Sequence, residues 1–295
     1  MIALRDLECL IALARHRHFA RAAAQCGLSQ PAFSMRIRNL EDTLGTPIVR
    51  RGNRFQGLTT EGDAILARAR RIIGEVRGLE EEVRAARGDI AGDLTIGTVP
   101  TASAFAADIA SWLRQEHPGI RTRIETATAL AVLQGMDDGR FDAGLTYAEG
   151  VSEDLYELRP LYAEQYVLLA TVAMLSKEDD QITWAAAAKL PLILLEQDMQ
   201  NRRILDQVFR DVGAVPEIVS ETNGFMTAVV MALAGTGATV LPKVLANALG
   251  PLDGARLLPL IEPDVEKTVA LVTARGDKNI PVVEAIKQTV AKEVP

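Results

Sequence analysis

The sequence predicts a chain in three parts: an all-α N-terminal domain with a winged helix-turn-helix, a long linker helix, and a two-lobed α/β domain. Three observations predict this fold class. Apolar residues recur with a helical period over residues 4–44. Over residues 65–86 they follow the 4-3-4-3 spacing of a heptad seam. From residue 93 onward, strand-like and helix-like segments alternate, which is typical of βαβ units and a parallel sheet.

The helix-turn-helix is predicted within residues 20–44. A short Ala-rich helix stops at Gly27, which can take the positive φ of a tight turn. Ser29 can cap the following helix, and Pro31 fits its first turn, where a missing N–H costs little. The buried stripe of that helix consists of Phe33, Ile37, Leu40 and Leu44. Its open face and flanks supply the candidate DNA contacts Gln30, Pro31, Ser34, Met35, Arg36 and Arg38.

A basic wing is predicted directly behind this recognition helix. Residues 48–55 read as two short strands around a Gly-Asn turn. Arg50, Arg51 and Arg54 on such a hairpin could contact the phosphate backbone of DNA.

The charge is distributed unevenly along the chain. The whole chain carries −7 with a pI near 5.2, which by itself argues against a nucleic-acid partner. Residues 1–88, however, hold 15 Arg, no Lys and 10 acidic residues, a net charge of +5. The remaining residues carry −12. A basic front end on an acidic body indicates that one module meets phosphate and the other does not.

A long helix is predicted to begin at Leu58-Thr59-Thr60 and to end near Gly88. Its apolar positions repeat every seven residues, so the helix should pack against a partner helix in a left-handed crossing, and a dimer is expected. The predicted dimer seam comprises Ile65, Ala69, Ile72, Val76, Leu79 and Val83.

The expected domain organisation follows from these periods. It assigns residues 1–58 to the DNA-binding domain, 59–88 to the linker and dimerisation helix, 89–92 to a hinge, 93–161 and 268–295 to lobe I, and 162–267 to lobe II. The strands of the body should form two parallel-type sheets, between which the chain crosses near Leu161 and again near Lys267.

Ligands of open α/β sheets settle beyond the carboxyl ends of strands and near helix N-termini. Applied here, this rule yields a candidate small-molecule site between the lobes. Its candidate residues are Thr101, Ala102, Ser103, Thr128, Tyr147, Asn201, Arg202, Asn223 and Phe225. Arg202 together with hydroxyl donors suggests a small anionic ligand such as a carboxylate. Hydroxyl and amide side chains at helix starts are also ordinary N-caps, which is the alternative role for several of these residues.

Residues 4–62 resemble the DNA-binding domain of the LysR-type transcriptional regulators. The resemblance is carried by Leu4-Arg5, Phe19-x-Arg21-Ala22-Ala23, Leu28-Ser29-Gln30-Pro31-Ala32-x-Ser34, Leu40-Glu41, Leu44-Gly45, Arg51 and Leu58-Thr59-x-x-Gly62. In the body it extends to Ile96-Gly97, Phe141-Asp142-Ala143-Gly144-Leu145 and Gly235-x-Gly237-x-x-Val240-Leu241-Pro242. Arg36 stands where the family usually has Gln, and Val99 replaces a usual polar residue.

The resemblance implies a two-lobed effector domain similar to periplasmic binding proteins. It favours ligand contacts for Thr101, Thr128 and Arg202. It also implies homodimers that join into homotetramers through the effector domains, an inverted-repeat DNA site, RNA polymerase as a further partner, and control of a neighbouring gene as well as the regulator's own.

An enzyme and a solute-binding protein are the two alternative classes. An enzyme is disfavoured because no G-x-S-x-G elbow and no G-x-G-x-x-G loop is present, and His117 lies in a His-Pro-Gly helix stop. A solute-binding protein fits the body but not the basic front end. No catalytic residue, cofactor or metal is expected. Cys9 and Cys26 should be reduced core residues, and the lack of a membrane-length apolar run or signal peptide predicts a cytoplasmic protein.

Overall fold

The computed structural model describes residues 2–50, 55–85, 90–176, 178, 180–275 and 280–294. Its N-terminal domain consists of α1 (Leu4–His16), α2 (Phe19–Gln25) and α3 (Gln30–Leu44), against which the first half of α4 (Thr60–Ala85) packs. The buried core of this domain is formed mainly by Leu10, Leu13, Phe33, Ile37 and Leu40. Among the described residues, no helix combines the length and the hydropathy needed to cross a membrane.

Local chemistry explains the helix-turn-helix. Gly27 takes φ of +64° between α2 and α3, so the predicted tight turn is confirmed. The Ser29 hydroxyl accepts a hydrogen bond from the backbone N–H of Ala32 at 3.4 Å, and Pro31 lies in the first turn of α3. Gly45 ends α3 with φ of +68°. These stops and caps fix where the recognition helix begins and ends.

The wing region is described only at its base. Val49 and Leu58 form an antiparallel bridge, and the Arg50 N–H donates to the Gly57 carbonyl at 3.1 Å. Residues 51–54, which include the candidates Arg51 and Arg54, lie outside the described residues.

Lobe I is built on a five-stranded sheet with the order β2-β1-β3-β11-β4. Its strands are β1 (Ala91–Thr98), β2 (Gly119–Thr126), β3 (Ala143–Tyr147), β4 (Tyr156–Glu164) and β11 (Lys267–Ala274). Its helices are α5 (Ser103–Glu116), α6 (Ala129–Asp137) and α11 (Pro281–Glu293). β1 pairs in parallel with β2 and β3, while β11 runs antiparallel to β3 and β4.

Lobe II is built on a six-stranded sheet with the order β6-β10-β5-β9-β7-β8. Its strands are β5 (Tyr166–Thr171), β6 (Ile182–Thr183), β7 (Pro191–Leu195), β8 (Glu217–Thr222), β9 (Ala238–Pro242) and β10 (Ala255–Ile261). Its helices are α7 (Trp184–Ala187), α8 (Gln200–Asp211), α9 (Phe225–Leu233) and α10 (Lys243–Leu249). The part of the chain that follows α4 therefore folds as two α/β lobes, which are joined by two crossovers.

The observed strands shift three expected boundaries. β4, which the sequence pattern did not predict, keeps residues up to Glu164 in lobe I, so the first crossover lies at Gln165 rather than near Leu161. Lys267 pairs with Glu164 in the sheet of lobe I and so belongs to that lobe. Residues 91 and 92 of the expected hinge pair with β2 as part of β1, whereas residues 86–89 lie outside the described residues.

The packing of Phe141, which lies just before β3, against β1 leaves no room for a side chain at Gly97. A Cβ placed there would lie 2.4 Å from the Phe141 ring. We expect Gly97→Ala to lower the free energy of unfolding by about 1–3 kcal/mol, because an overpacked core must shift its backbone or rotamers. Denaturant titration should show a lower midpoint with an unchanged slope. Gly74→Ala on α4 is the control: a Cβ there meets no atom of the described residues within 4 Å, and the change should stabilise the helix by up to about 1 kcal/mol. An unchanged midpoint for Gly97→Ala would contradict this packing.

Candidate functional site

The exposed face of α3 carries the candidate DNA contacts. Gln30, Pro31, Met35 and Arg38 are exposed, Met35 with 60% of its surface accessible, and Ser34 is half-buried. Buried residues on the opposite face hold α3 against α1 and α2. The arrangement presents an apolar side chain, an amide, a hydroxyl and a guanidinium on one rigid helix, which is the mixture that reads base edges in a major groove.

Arg36 differs from the other candidates. Its Nη1 donates to Asp6 Oδ1 of α1 at 2.8 Å, and the Asp6 side chain is only 14% exposed. Its guanidinium therefore braces α3 against α1 through Nη1, while the side chain stays 38% exposed, and its expected DNA contact stays a prediction. Arg50, at the base of the wing, is exposed and donates from Nε to the Leu58 carbonyl at 2.9 Å.

The two cysteines lie inside the N-terminal domain. Cys9 is fully buried and Cys26 is 7% exposed. Burial, together with the neighbouring Cys26 thiol, raises the pKa of Cys9 to about 12. Because the thiolate is the reactive form, Cys9 behaves as a reduced core residue.

The predicted dimer seam divides between two faces of α4. Ala69 is buried inside the domain beside Leu66 and Ile73, so it does not belong to an outer seam. The reason is that α1 packs on this side of α4. The other seam residues are partly or largely exposed: Ile65 and Val76 are half-buried, and Ile72, Leu79 and Val83 are 38%, 63% and 52% exposed. Four of them, from Ile72 onward, form a continuous apolar stripe on a single chain.

A small cleft lies between the lobes, at the ends of β1, β3 and β7. Its lining consists of Val99, Pro100, Thr101, Thr128, Ala129 and Tyr147 from lobe I and Leu195, Met199, Gln200 and Asn201 from lobe II. The free space is about 10 Å³, close to the minimum that holds one water molecule. The structure thus shows the lobes closed on each other.

Polar groups of the cleft are available for hydrogen bonds. The Thr128 hydroxyl accepts from the Ala131 N–H at 3.3 Å and caps α6, which leaves its own proton free to donate. Asn201, in the first turn of α8, is 3% exposed, and neither Nδ2 nor Oδ1 has a hydrogen-bond partner among the described residues. A buried amide with both ends unpaired is costly unless water or a ligand satisfies it.

A buried hydroxyl and carboxyl network lies behind the cleft. The Tyr147 hydroxyl donates to Glu164 Oε1 at 2.8 Å and lies 3.2 Å from Thr101 Oγ1. The Tyr166 hydroxyl donates to the same Glu164 oxygen at 2.8 Å. Burial raises the pKa of Glu164 to about 7, although the Tyr166 and Tyr147 hydroxyls lower it in part. Glu164 thereby links the end of β4 in lobe I to the start of β5 in lobe II.

Arg202 is not part of the cleft lining. Its Nη1 donates to the Leu195 carbonyl at 2.7 Å and to Glu221 at 2.5 Å, and its Nε donates to Asp206 at 2.8 Å. The guanidinium is thus balanced by two carboxylates and borders a separate open hollow beside β8. The expectation that Arg202 supplies a free positive charge to a ligand is therefore wrong.

The other candidates from the sequence divide into two groups. Thr101, Thr128, Tyr147 and Asn201 meet at the cleft as expected. The lining does not include Ala102, Ser103, Asn223 or Phe225. Ala102 and Phe225 are instead buried in the cores of their lobes, Asn223 is exposed, and Ser103 begins α5. The sequence did not identify the apolar lining residues or Glu164 as site residues. A single acidic residue between two strands forms no recognisable motif.

Comparison with known proteins matches almost the whole chain. Residues 4–63 match the family model described as "Bacterial regulatory helix-turn-helix protein, lysR family". Residues 87–295 match the family model described as "LysR substrate binding domain".

Individual proteins agree with these matches. The DNA-binding transcriptional dual regulator OxyR of Escherichia coli K12 is 31% identical over 274 residues, which cover 92% of this chain and 90% of that protein. The hydrogen peroxide-inducible genes activator of Haemophilus influenzae is 28% identical and covers 99% of this chain and 97% of its own. The crystal structure of full-length CbnR in complex with its target DNA shares the fold, with a TM-score of 0.73, 19% identity and coverage of 99% of this chain and all of that one. The chain belongs to the LysR family of DNA-binding transcriptional regulators.

Proposed function

We propose that the chain regulates transcription in response to a small polar molecule that binds between its two α/β lobes. The observation that carries this proposal is Asn201, a buried amide without a hydrogen-bond partner in the described part of the chain, which lines a closed cleft together with Thr128. Family members of this type bind DNA and small-molecule effectors and form oligomers. The protein acts in the cytoplasm, where its operator DNA and RNA polymerase are found.

We assign base recognition to the exposed face of α3 and phosphate contacts to the wing. Gln30, Pro31, Ser34, Met35 and Arg38 provide the face that reads sequence. Arg50, Arg51 and Arg54 contact the backbone; of these, only Arg50 lies within the described residues. Base contacts specify the site, whereas phosphate contacts position the protein and set the salt dependence of binding.

This assignment predicts different outcomes for two arginines. We expect Arg38→Ala to weaken binding to the operator by about 1–3 kcal/mol while affinity for random duplex changes little. Arg51→Ala should weaken both duplexes alike and reduce the slope of log K against log salt by about 1. Fluorescence anisotropy over a salt series measures both quantities. If each variant lost the same affinity on specific and random DNA, the division of roles would be refuted.

The exposed stripe of α4 is proposed as the dimer interface. Ile72, Val76, Leu79 and Val83 share one face of the helix and stay accessible in the single chain. Pairing two such helices would place two recognition helices on successive major-groove faces of an inverted-repeat operator. Contacts between effector domains would then join two dimers into a homotetramer.

The residues that line the cleft favour a small polar effector. None of the ten described residues that line it is charged. Thr128 and Asn201 offer both donors and acceptors, and Val99, Leu195 and Met199 form an apolar wall. A carboxylate would have to be held by the N–H groups at the start of α8 rather than by Arg202. Calorimetric titration with matched carboxylates and carboxamides tests whether the cleft binds a small polar molecule and whether it accepts a carboxylate. No heat from any ligand would count against an effector site here.

Peroxide sensing by a thiol is the second candidate, because a relative is named as a hydrogen peroxide-inducible genes activator. Residues 27–295 contain no cysteine, and both thiols of the N-terminal domain are buried. We therefore expect peroxide treatment to leave operator affinity within about twofold, since peroxide acts on accessible thiolates. Loss of that affinity, reversed by dithiothreitol and absent in Cys9→Ser, would favour the thiol mechanism instead.

A further inference from the structure

We propose that α6 and its contact with α4 carry the signal from the effector cleft to the DNA-binding domain, with Arg71 as the residue that makes this contact. The proposal rests on the effector role of the cleft given above. It follows from where the two ends of one short helix lie: the N-terminal end lines the cleft, and the C-terminal end touches the linker helix.

The cleft end of α6 is defined by two residues. Thr128 caps the helix and Ala129 is its first residue, and both line the cleft opposite Asn201. Because the closed cleft has about 10 Å³ of free space, any larger ligand must separate these residues from α8. Opening of the cleft therefore acts directly on the start of α6.

The helix between the two ends is held as a rigid unit. It has nine residues, and Val132, Gly135 and Met136 are buried on the side that faces β1 and β3. At its far end the Tyr156 hydroxyl donates to Asp137 Oδ1 at 2.5 Å. A short helix fixed along one side transmits a displacement from one end to the other, since packed elements shift as bodies.

The linker end of α6 meets the backbone of α4. Arg71 Nε donates to the Asp137 carbonyl at 2.6 Å. Just beyond α6, Gly139 has φ of +64°, and a Cβ on it would lie 3.3 Å from the Arg71 nitrogen. Burial lowers the pKa of the adjacent Arg70, although Asp138 opposes this. β1 and α11 also contact α4, so losing the Arg71 bond alone should not detach the helix from lobe I.

Operator affinity tests the route without knowledge of the effector. Ala129→Leu inserts a wedge into the cleft, and its effect is measured on the full chain by anisotropy in three backgrounds: wild type, Arg71→Ala, and Arg68→Ala. Arg68 is an exposed arginine on the same helix and serves as the matched control. Thermal unfolding verifies that each variant folds, and hydrogen exchange of α6 and α4 amides verifies that the wedge acts locally.

We expect the wedge to change operator affinity at least fivefold in wild type and in Arg68→Ala, the range typical of allosteric coupling. In Arg71→Ala the same wedge should change it less than twofold. A wedge effect of equal size in all three backgrounds would overturn the route through Arg71. A wedge that alters exchange in α6 but changes operator affinity in none of them would overturn the effector role of the cleft itself.

Discussion

Leu79→Asp is expected to convert the protein to a monomer and to weaken operator binding by about a hundredfold to ten thousandfold. Leu79 is 63% exposed in the single chain and lies at the centre of the apolar stripe on α4. A carboxylate there would be buried against the partner helix without a counter-charge, which disfavours pairing. Two linked recognition helices bind as one unit, and this gain from effective concentration disappears in a monomer.

Sedimentation velocity and operator anisotropy measure the two effects together. Arg77→Asp is the matched control, because Arg77 is exposed on a different face of the same helix. The Arg77→Asp protein should remain dimeric. It should lose only the electrostatic part of its affinity for the operator, which high salt also screens in wild type. A Leu79→Asp protein that stayed dimeric would contradict the assignment of this stripe as the dimer interface.

Glu164→Gln is expected to change how stability depends on pH. The pKa of Glu164 is raised to about 7 in the folded protein, against about 4.5 unfolded, so the folded state holds the proton more tightly. The contribution of Glu164 to the free energy of unfolding is therefore fully present below pH 4.5 and is lost as pH rises through 7. The difference corresponds to about 3 kcal/mol. Glutamine keeps the shape without the charge, so the variant should lack this decline.

Chemical unfolding of wild type and Glu164→Gln between pH 4.5 and 8 checks this result. The difference between their free energies of unfolding should shift by about 3 kcal/mol across the range in favour of the variant. Glu217→Gln, a change at an exposed carboxylate that does not act on Glu164, should give curves parallel to wild type. A constant difference between wild type and Glu164→Gln would contradict the raised pKa.

The parts of the fold that depend on local chemistry could be predicted from the sequence. Gly27 and Ser29 mark the turn and the cap of α3 through properties of single residues, and the structure places both as expected. The heptad period identified α4, but not which face would meet its own domain. Ala69 is buried because α1 covers that side of α4. The heptad period of α4 does not indicate which other elements pack against it.

Features set by tertiary contacts could not be predicted. β4 is an edge strand that contains Pro160, and proline weakens the signal of a strand. Arg202 was expected at the ligand because of its position in the first turn of α8. Its actual partners include Glu221, from a strand that joins the sheet beside β7. The pKa of Glu164 is raised only when the folded protein buries this carboxyl group where the two lobes meet.

The measurement that tests the central claim most directly is anisotropy of the full chain on the DNA upstream of its own gene and on a random duplex, over a salt series. A regulator of this kind should bind the upstream DNA at least about a thousandfold more tightly than the random duplex, with affinity that falls steeply as salt increases. Equal, weak binding to both duplexes at every salt concentration would contradict sequence-specific recognition by α3.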